Sequence, residues 1–289
     1  MDRTVHPRLN TTITSLALVA LLTSCAPGSS PSNEVTPKPG ARAILDQETS
    51  TVRMPIDSYI PNHEEARDLS RAAEKAVNNC LKAAGHEPTP KADTGSNEDR
   101  RFGLWNIERA KLYGFGLKGD SSEISGVDST EEMGQPREEC LVETADETKK
   151  FDVASMTQPG GTNATEIRDQ AAEFLREDPL WSEMKKSYDS CLSDQGLTPL
   201  PDEWGSAQSD EVLVKSLETD GNAGATEEEI RIAVLEAQCN SDLEITQQLS
   251  DREAGYQQTL IEQNEATLAK EQEQKDEAVE AARRYLAEG

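Results

Sequence analysis

Cys80-Leu-Lys-Ala-Ala-Gly-His-Glu-Pro-Thr-Pro90 returns later in the chain as Cys191-Leu-Ser-Asp-Gln-Gly-Leu-Thr-Pro-Leu-Pro201, with Cys, Leu, Gly and both Pro in register. Each copy reads as the end of a helix: glycine takes the left-handed position after the last turn, and the prolines forbid continuation. That physics places Gly and Pro at any helix end, but it does not place Cys and Leu, so we read the pair as an internal repeat. Before the first copy, residues 62–84 read as a helix. Asn62 and Glu65 have capping-box spacing, and Leu69, Ala73, Val77, Cys80, Leu81 and Ala84 make one apolar stripe. Before the second, Asp178-Pro179 starts a helix with proline at its first position. Its buried face is read as Trp181, Met184, Tyr188, Cys191 and Leu192.

The chain holds five cysteines. Cys25 stands apart near the start. The other four, Cys80, Cys140, Cys191 and Cys239, allow three disulfide connectivities. Thr130-Glu-Glu before Cys140 and Thr226-Glu-Glu-Glu before Cys239 both read as helix starts, which extends the repeat. The repeat therefore favours Cys80 with Cys140 and Cys191 with Cys239. Closing loops of about 60 and 48 residues in this way contributes about 4 kcal/mol each in the chain-entropy model. Zinc is not expected, because these cysteines are widely spaced and the chain has only three His.

Hydrophobic residues make up 35% of the 289 and aromatic ones 4%, too few for one large core, so one or two modest helical modules plus disordered segments are expected. A formal charge of −26 repels nucleic acid phosphates and anionic lipid headgroups, so nucleic acid is not an expected partner. The expected fold is mainly α: a disulfide-stapled helical body with a long C-terminal helix and a flexible N-terminal tether.

Residues 1–24 have the parts of a secretory signal. Arg3 and Arg8 lead an apolar run from Ile13 to Leu22, about ten residues where a spanning helix needs roughly 20. Leu22-Thr23-Ser24-Cys25 then resembles the lipobox of bacterial lipoproteins. That resemblance implies a signal cut before Cys25, a diacylglycerol on its thiol, and anchoring at the outer face of the cell membrane. Residues 25–51, rich in Pro, Gly and Ser, read as a tether. A first helical module is expected over 52–151, a linker over 152–164 around Pro159-Gly-Gly161, and a second module over 165–289. The last segment, Thr226 to Glu288, reads as one long helix or two in line, with Ser250 and Glu253 as a possible second cap. Uninterrupted, it would reach about 95 Å. Lys270 to Glu277 has no apolar residue, so the distal part is expected to be a solvated arm or a partner helix.

Between the first pair of cysteines, Phe102, Trp105, Tyr113 and Phe115 concentrate four of the chain's twelve aromatic residues. They form either a small core under a loop or an aromatic platform for a wall glycan or peptide, oriented by Glu108 or Arg109. Leu104, Ile107 and Leu117 among them favour the core. No catalytic, phosphate-binding or zinc-protease motif is present, so neither an enzyme nor a cofactor is expected. Residues 218–229 offer oxygen ligands between two helices but lack the Asp and the Gly that a calcium loop needs, and read as a polar loop with a helix cap.

Several blocks resemble uncharacterised actinobacterial envelope lipoproteins. They are Met54-Pro-Ile-Asp-Ser-Tyr59, Cys80-Leu with Gly85, Arg101-Phe-Gly-Leu104, Tyr113-Gly-Phe-Gly116, Tyr188 to Cys191 with Gly196, Ile232 to Cys239, and Tyr256-Gln-Gln-Thr-Leu-Ile261. The resemblance covers roughly residues 52–285 and implies an exported, lipid-anchored protein with paired cysteines and no defined activity. The expected partner is an envelope protein or wall component, bound or scaffolded without chemistry.

Overall fold

The first repeat helix, α1 (His63–Ala83), begins as its sequence dictates. Asn62 Oδ1 accepts from Glu65 N at 3.0 Å while Glu65 Oε2 accepts from Asn62 N at 2.9 Å. It ends at Gly85 (φ +87°), where His86 N donates to Leu81 O at 2.9 Å. The second repeat helix ends with the same closure, Leu197 N to Leu192 O at 2.9 Å, around Gly196 (φ +76°). A computed structural model describes residues 35–88, 97–116, 131–218 and 225–288. Cys25 and residues 219–224 of the polar loop lie outside them.

In chain order, strands β1 (Ile44–Asp46) and β2 (Thr51–Arg53) form an antiparallel pair with Leu45 opposite Val52, and a 3₁₀ turn follows at Pro55–Tyr59. After α1 come α2 (Ile107–Tyr113), α3 (Glu131–Glu143), α4 (Ala145–Thr148), α5 (Val153–Thr157) and α6 (Asn163–Glu177). The chain ends with α7 (Pro179–Asp194), α8 (Ala207–Glu218), α9 (Glu227–Asp242), α10 (Ile245–Gln263) and α11 (Glu265–Ala287). The architecture is mainly helical, and both expected disulfides are formed: Cys80–Cys140 joins α1 to α3, and Cys191–Cys239 joins α7 to α9.

Three expectations need correction. The tether is shorter than residues 25–51, because 35–53 lie on the body. Lys38 N donates to Gly255 O at 2.9 Å, Thr259 Oγ1 donates to Thr36 O at 2.8 Å, Ala43 is buried, and Lys38 pairs with Glu262. Secondly, the two modules are one unit spanning Val35–Gly289. Helices from opposite ends of the chain interleave, α1 with α11 and α2 with α9, and the 152–164 linker is partly helical.

The third correction concerns the last segment, which is three helices rather than one long helix or two in line. Glu244, at φ +50°, breaks it after α9, and Asn264 breaks it after α10; Ser250 and Glu253 lie inside α10. The distal piece is no solvated arm. Leu268, Ala278, Val279 and Ala282 of α11 are buried, the last three against Leu69 and Ala72 of α1. Lys275, inside the stretch without apolar residues, is itself buried, with Nζ donating to Ser58 O at 3.1 Å and lying 3.7 Å from Glu65. Its aliphatic stem covers apolar surface while its charge is satisfied by the body.

Candidate functional site

The four aromatic residues of the first module do not form a platform. Trp105 is buried with Val52, Ile56 and Ile167, and its Nε1 donates to Asp99 O at 2.8 Å. Tyr113 lies partly exposed beneath Arg109, whose guanidinium is 3.8 Å from the ring centroid. Phe102 is buried in a different cluster, against Trp181 and Trp204. Phe115 is half-buried at the edge of a groove. Core packing thus accounts for Phe102 and Trp105, while Tyr113 is exposed and Phe115 borders the groove.

That groove is the candidate site. It has a volume of about 510 Å³ and lies between the turn at 100–104, the start of α7, and the hairpin-like turn at 199–206. Each wall is set locally. The 199–206 turn is closed by Leu200 N to Gly205 O at 3.1 Å and Ala207 N to Thr198 O at 2.8 Å. Lys185 Nζ, from α7, donates to Leu200 O at 2.8 Å and holds the turn down. The opposite turn is tied to α9 by Asn240 Nδ2, which donates to Phe102 O at 2.6 Å. The two turns meet because residue 103 is glycine, at φ +81°. A Cβ there would stand 2.6 Å from Trp204 O.

Phe102, Trp181 and Trp204 pack edge-to-face, with centroids 5.3–6.2 Å apart. Such contacts add stability beyond their buried area, and Trp204 also packs on Tyr188, with centroids 5.5 Å apart. Trp181 and Trp204 are both partly exposed at the groove. Arg100 is occupied by Glu98 at 2.8 Å and by the carbonyls of Phe115 and Gly116 at 2.5 and 2.9 Å. Arg101 makes a two-pronged bond to Glu253 at 2.9 and 3.0 Å.

Glu236 of α9 reaches the groove and is 2% exposed. Its Oε1 accepts from Ser206 N at 2.9 Å and Ser206 Oγ at 2.6 Å. Burial pushes its pKa up to about 7, against the pull of the Ser206 and Ser209 hydrogen bonds, and the charge of Asp210 raises it further. Among the described residues no cation pairs with it. Burial and the neighbouring carboxylates likewise push the Tyr188 hydroxyl, packed against Trp204, well above the ordinary tyrosine range.

No protein-family model, curated protein or solved structure matches the chain. The groove therefore has to be read from its own chemistry. Its walls combine aromatic faces, aliphatic side chains and carboxyl groups, a surface suited to recognition. Among the described residues no group of three or more His, Cys, Asp or Glu could hold a metal ion.

The sequence had shown Trp181 only as a core position, and had not marked Trp204 or Glu236 at all. One signal was present: Asp202-Glu-Trp-Gly205 places one of only three tryptophans in a polar turn. A large aromatic ring in such a turn is either a lid on a core or a wall of a site.

Proposed function

We propose that this chain is an exported, lipid-anchored binding or scaffold protein of the bacterial cell envelope, held at the outer face of the membrane through Cys25 and acting without catalysis. One observation carries the reading. Cys80–Cys140 and Cys191–Cys239 account for four of the five cysteines. The fifth stands in Leu22-Thr-Ser-Cys25, where a lipobox needs its thiol. Stable disulfides belong to oxidising compartments, so the two pairs and the lipobox-like setting of Cys25 both support export. Among the described residues no helix is long and apolar enough to cross a membrane. A diacylglycerol, with about 0.8 kcal/mol for each buried CH₂, is then the expected hold.

The Trp181–Trp204 groove supports a binding role, taking a wall peptide or glycan, in place of the platform expected from Trp105 and Tyr113. Labelling cells with an alkyne-bearing fatty acid tests the anchor. The wild-type chain should be labelled and sediment with membranes, and Cys25→Ala should lose both properties. A wild-type chain that stays unlabelled in the cytosol would sink the reading. Crosslinking in cells should then recover an envelope neighbour from the wild type and lose it with Trp204→Ala.

A further inference from the structure

The charges around the groove do not cancel, and the imbalance has a sign. Asp202, Glu203 and Asp210 stand exposed or near its rim, and among the described residues none of them makes an ion pair. Glu236 lies deeper, buried and also without a cation. Of the arginines that line the groove, Arg100 and Arg101 are held by Glu98, Asp99 and Glu253, which leaves exposed Arg176 as the opposing charge. A buried carboxyl is ordinarily paired, because taking its charge out of water unpaired is costly. Here the fold supplies hydroxyl and amide donors to Glu236 but not the positive partner.

The apolar part of the lining fits the same occupant. Trp181 and Trp204 cross at 82° with centroids 5.3 Å apart, and a cation over either ring face is attracted by the ring quadrupole. Leu104, Leu200 and Leu213 also line the groove, a surface for an aliphatic stem behind a charged head. A volume of about 510 Å³ is of the size that takes a small ligand, and exceeds what a single ammonium group fills.

We propose that this groove binds a peptide through a primary ammonium side chain, its stem on the leucines and its charge set between the tryptophan faces and Glu236. The inference deepens the binding reading and rests on it. It also makes a signature that packing alone would not. An ammonium beside Glu236 favours the carboxylate, so binding below neutral pH should release a proton from that group.

The test is calorimetry on the purified full chain in detergent, with tri-lysine as the probe and tryptophan fluorescence read in parallel. Tri-lysine should bind one to one, quench the fluorescence, and release protons at pH 6 that Glu236→Gln no longer releases. Acetylating the ε-amines, or changing Trp204→Ala or Asp210→Asn, should each weaken binding by about tenfold or more, the scale of one lost cation–π or charge contact. Glu277→Gln, an exposed carboxylate on α11, should leave binding unchanged. Asp210 is exposed, so that variant keeps the test open should Glu236→Gln disturb folding. Equal binding of acetylated tri-lysine, or equal weakening by Glu277→Gln and Asp210→Asn, would overturn the proposal. So would cadaverine binding as tightly as the peptide, which would leave an amine site without a peptide. Retention of a neutral N-acetylglucosamine tetramer in the groove with no response to tri-lysine would overturn the cationic ligand while sparing the binding reading.

Discussion

Glu236 shows how one buried carboxyl ties the site to stability. Its folded pKa, about 7, lies above the ordinary value of 4.5 because burial disfavours the charge. Between these two values the folded state holds more protons at this group than the unfolded chain does. Stability from this group is therefore greatest below pH 4.5 and falls as pH rises through about 7. A shift of this size corresponds to about 3 kcal/mol. Urea unfolding at pH 5 and pH 8 should show that loss in the wild type and a much flatter difference in Glu236→Gln. Subtracting the variant matters, since burial raises Glu253 and Asp57 in the same direction while Arg109 and Arg100 hold Glu98 below its usual range despite its burial. An equal pH slope in wild type and variant would refute the assignment. None of this was legible in the chain: among 55 acidic residues, nothing marks the one that α8 and its preceding turn cover.

Elements carry the more legible part of the design. The two repeat ends adopt the same glycine closure, and the capping residues at Asn62, Asp178 and Thr226 accept the hydrogen bonds their spacing implies. Local rules suffice there, because a cap needs only residues a few positions away. The segment at 35–43 is the contrary case. Its Pro-rich sequence has nothing that requires docking, and its partner is a notch in α10. Gly255 is that notch: a Cβ on it would stand 2.9 Å from Pro37 Cβ and 3.1 Å from Lys38 O. Gly255→Val should push the segment off. Hydrogen exchange should then show lost protection at Lys38 N with α10 still protected, since replacing a helix-interior glycine by valine favours α10 itself by only about a few tenths of a kcal/mol. Unchanged protection of Lys38 would show that the segment is held without the notch.

At the scale of the whole molecule, α11 packs on α1, far away in the chain. Arg283 of α11 reaches Asp68 of α1 at 2.8 Å, and Lys75 Nζ donates to Tyr285 O at 2.9 Å. Phe151 and Tyr285 pack with centroids 5.4 Å apart. Deleting residues 265–289 should therefore destabilise the body rather than merely trim an arm. Leu268 and Val279, both buried, account for about 3–6 kcal/mol between them, against a typical total of about 5–15 kcal/mol. The truncated chain should lose hydrogen-exchange protection throughout α1 and melt at a clearly lower temperature. Retention of a native melting temperature would contradict this packing.

The sequence by itself determined the helical class and the ends of α1 and α7, and it favoured the cysteine pairing that the structure shows. Caps and closures act over a few residues, and the repeat favours one cysteine pairing of the three. Only the tertiary structure decided that the two halves are one unit, that the last helix folds onto the first, and that Trp181, Trp204 and Glu236 share a groove. Those facts depend on which apolar faces meet at long range. A polar stretch such as Lys270–Glu277 conceals its burial, because Lys275 satisfies its charge on groups far away in the chain.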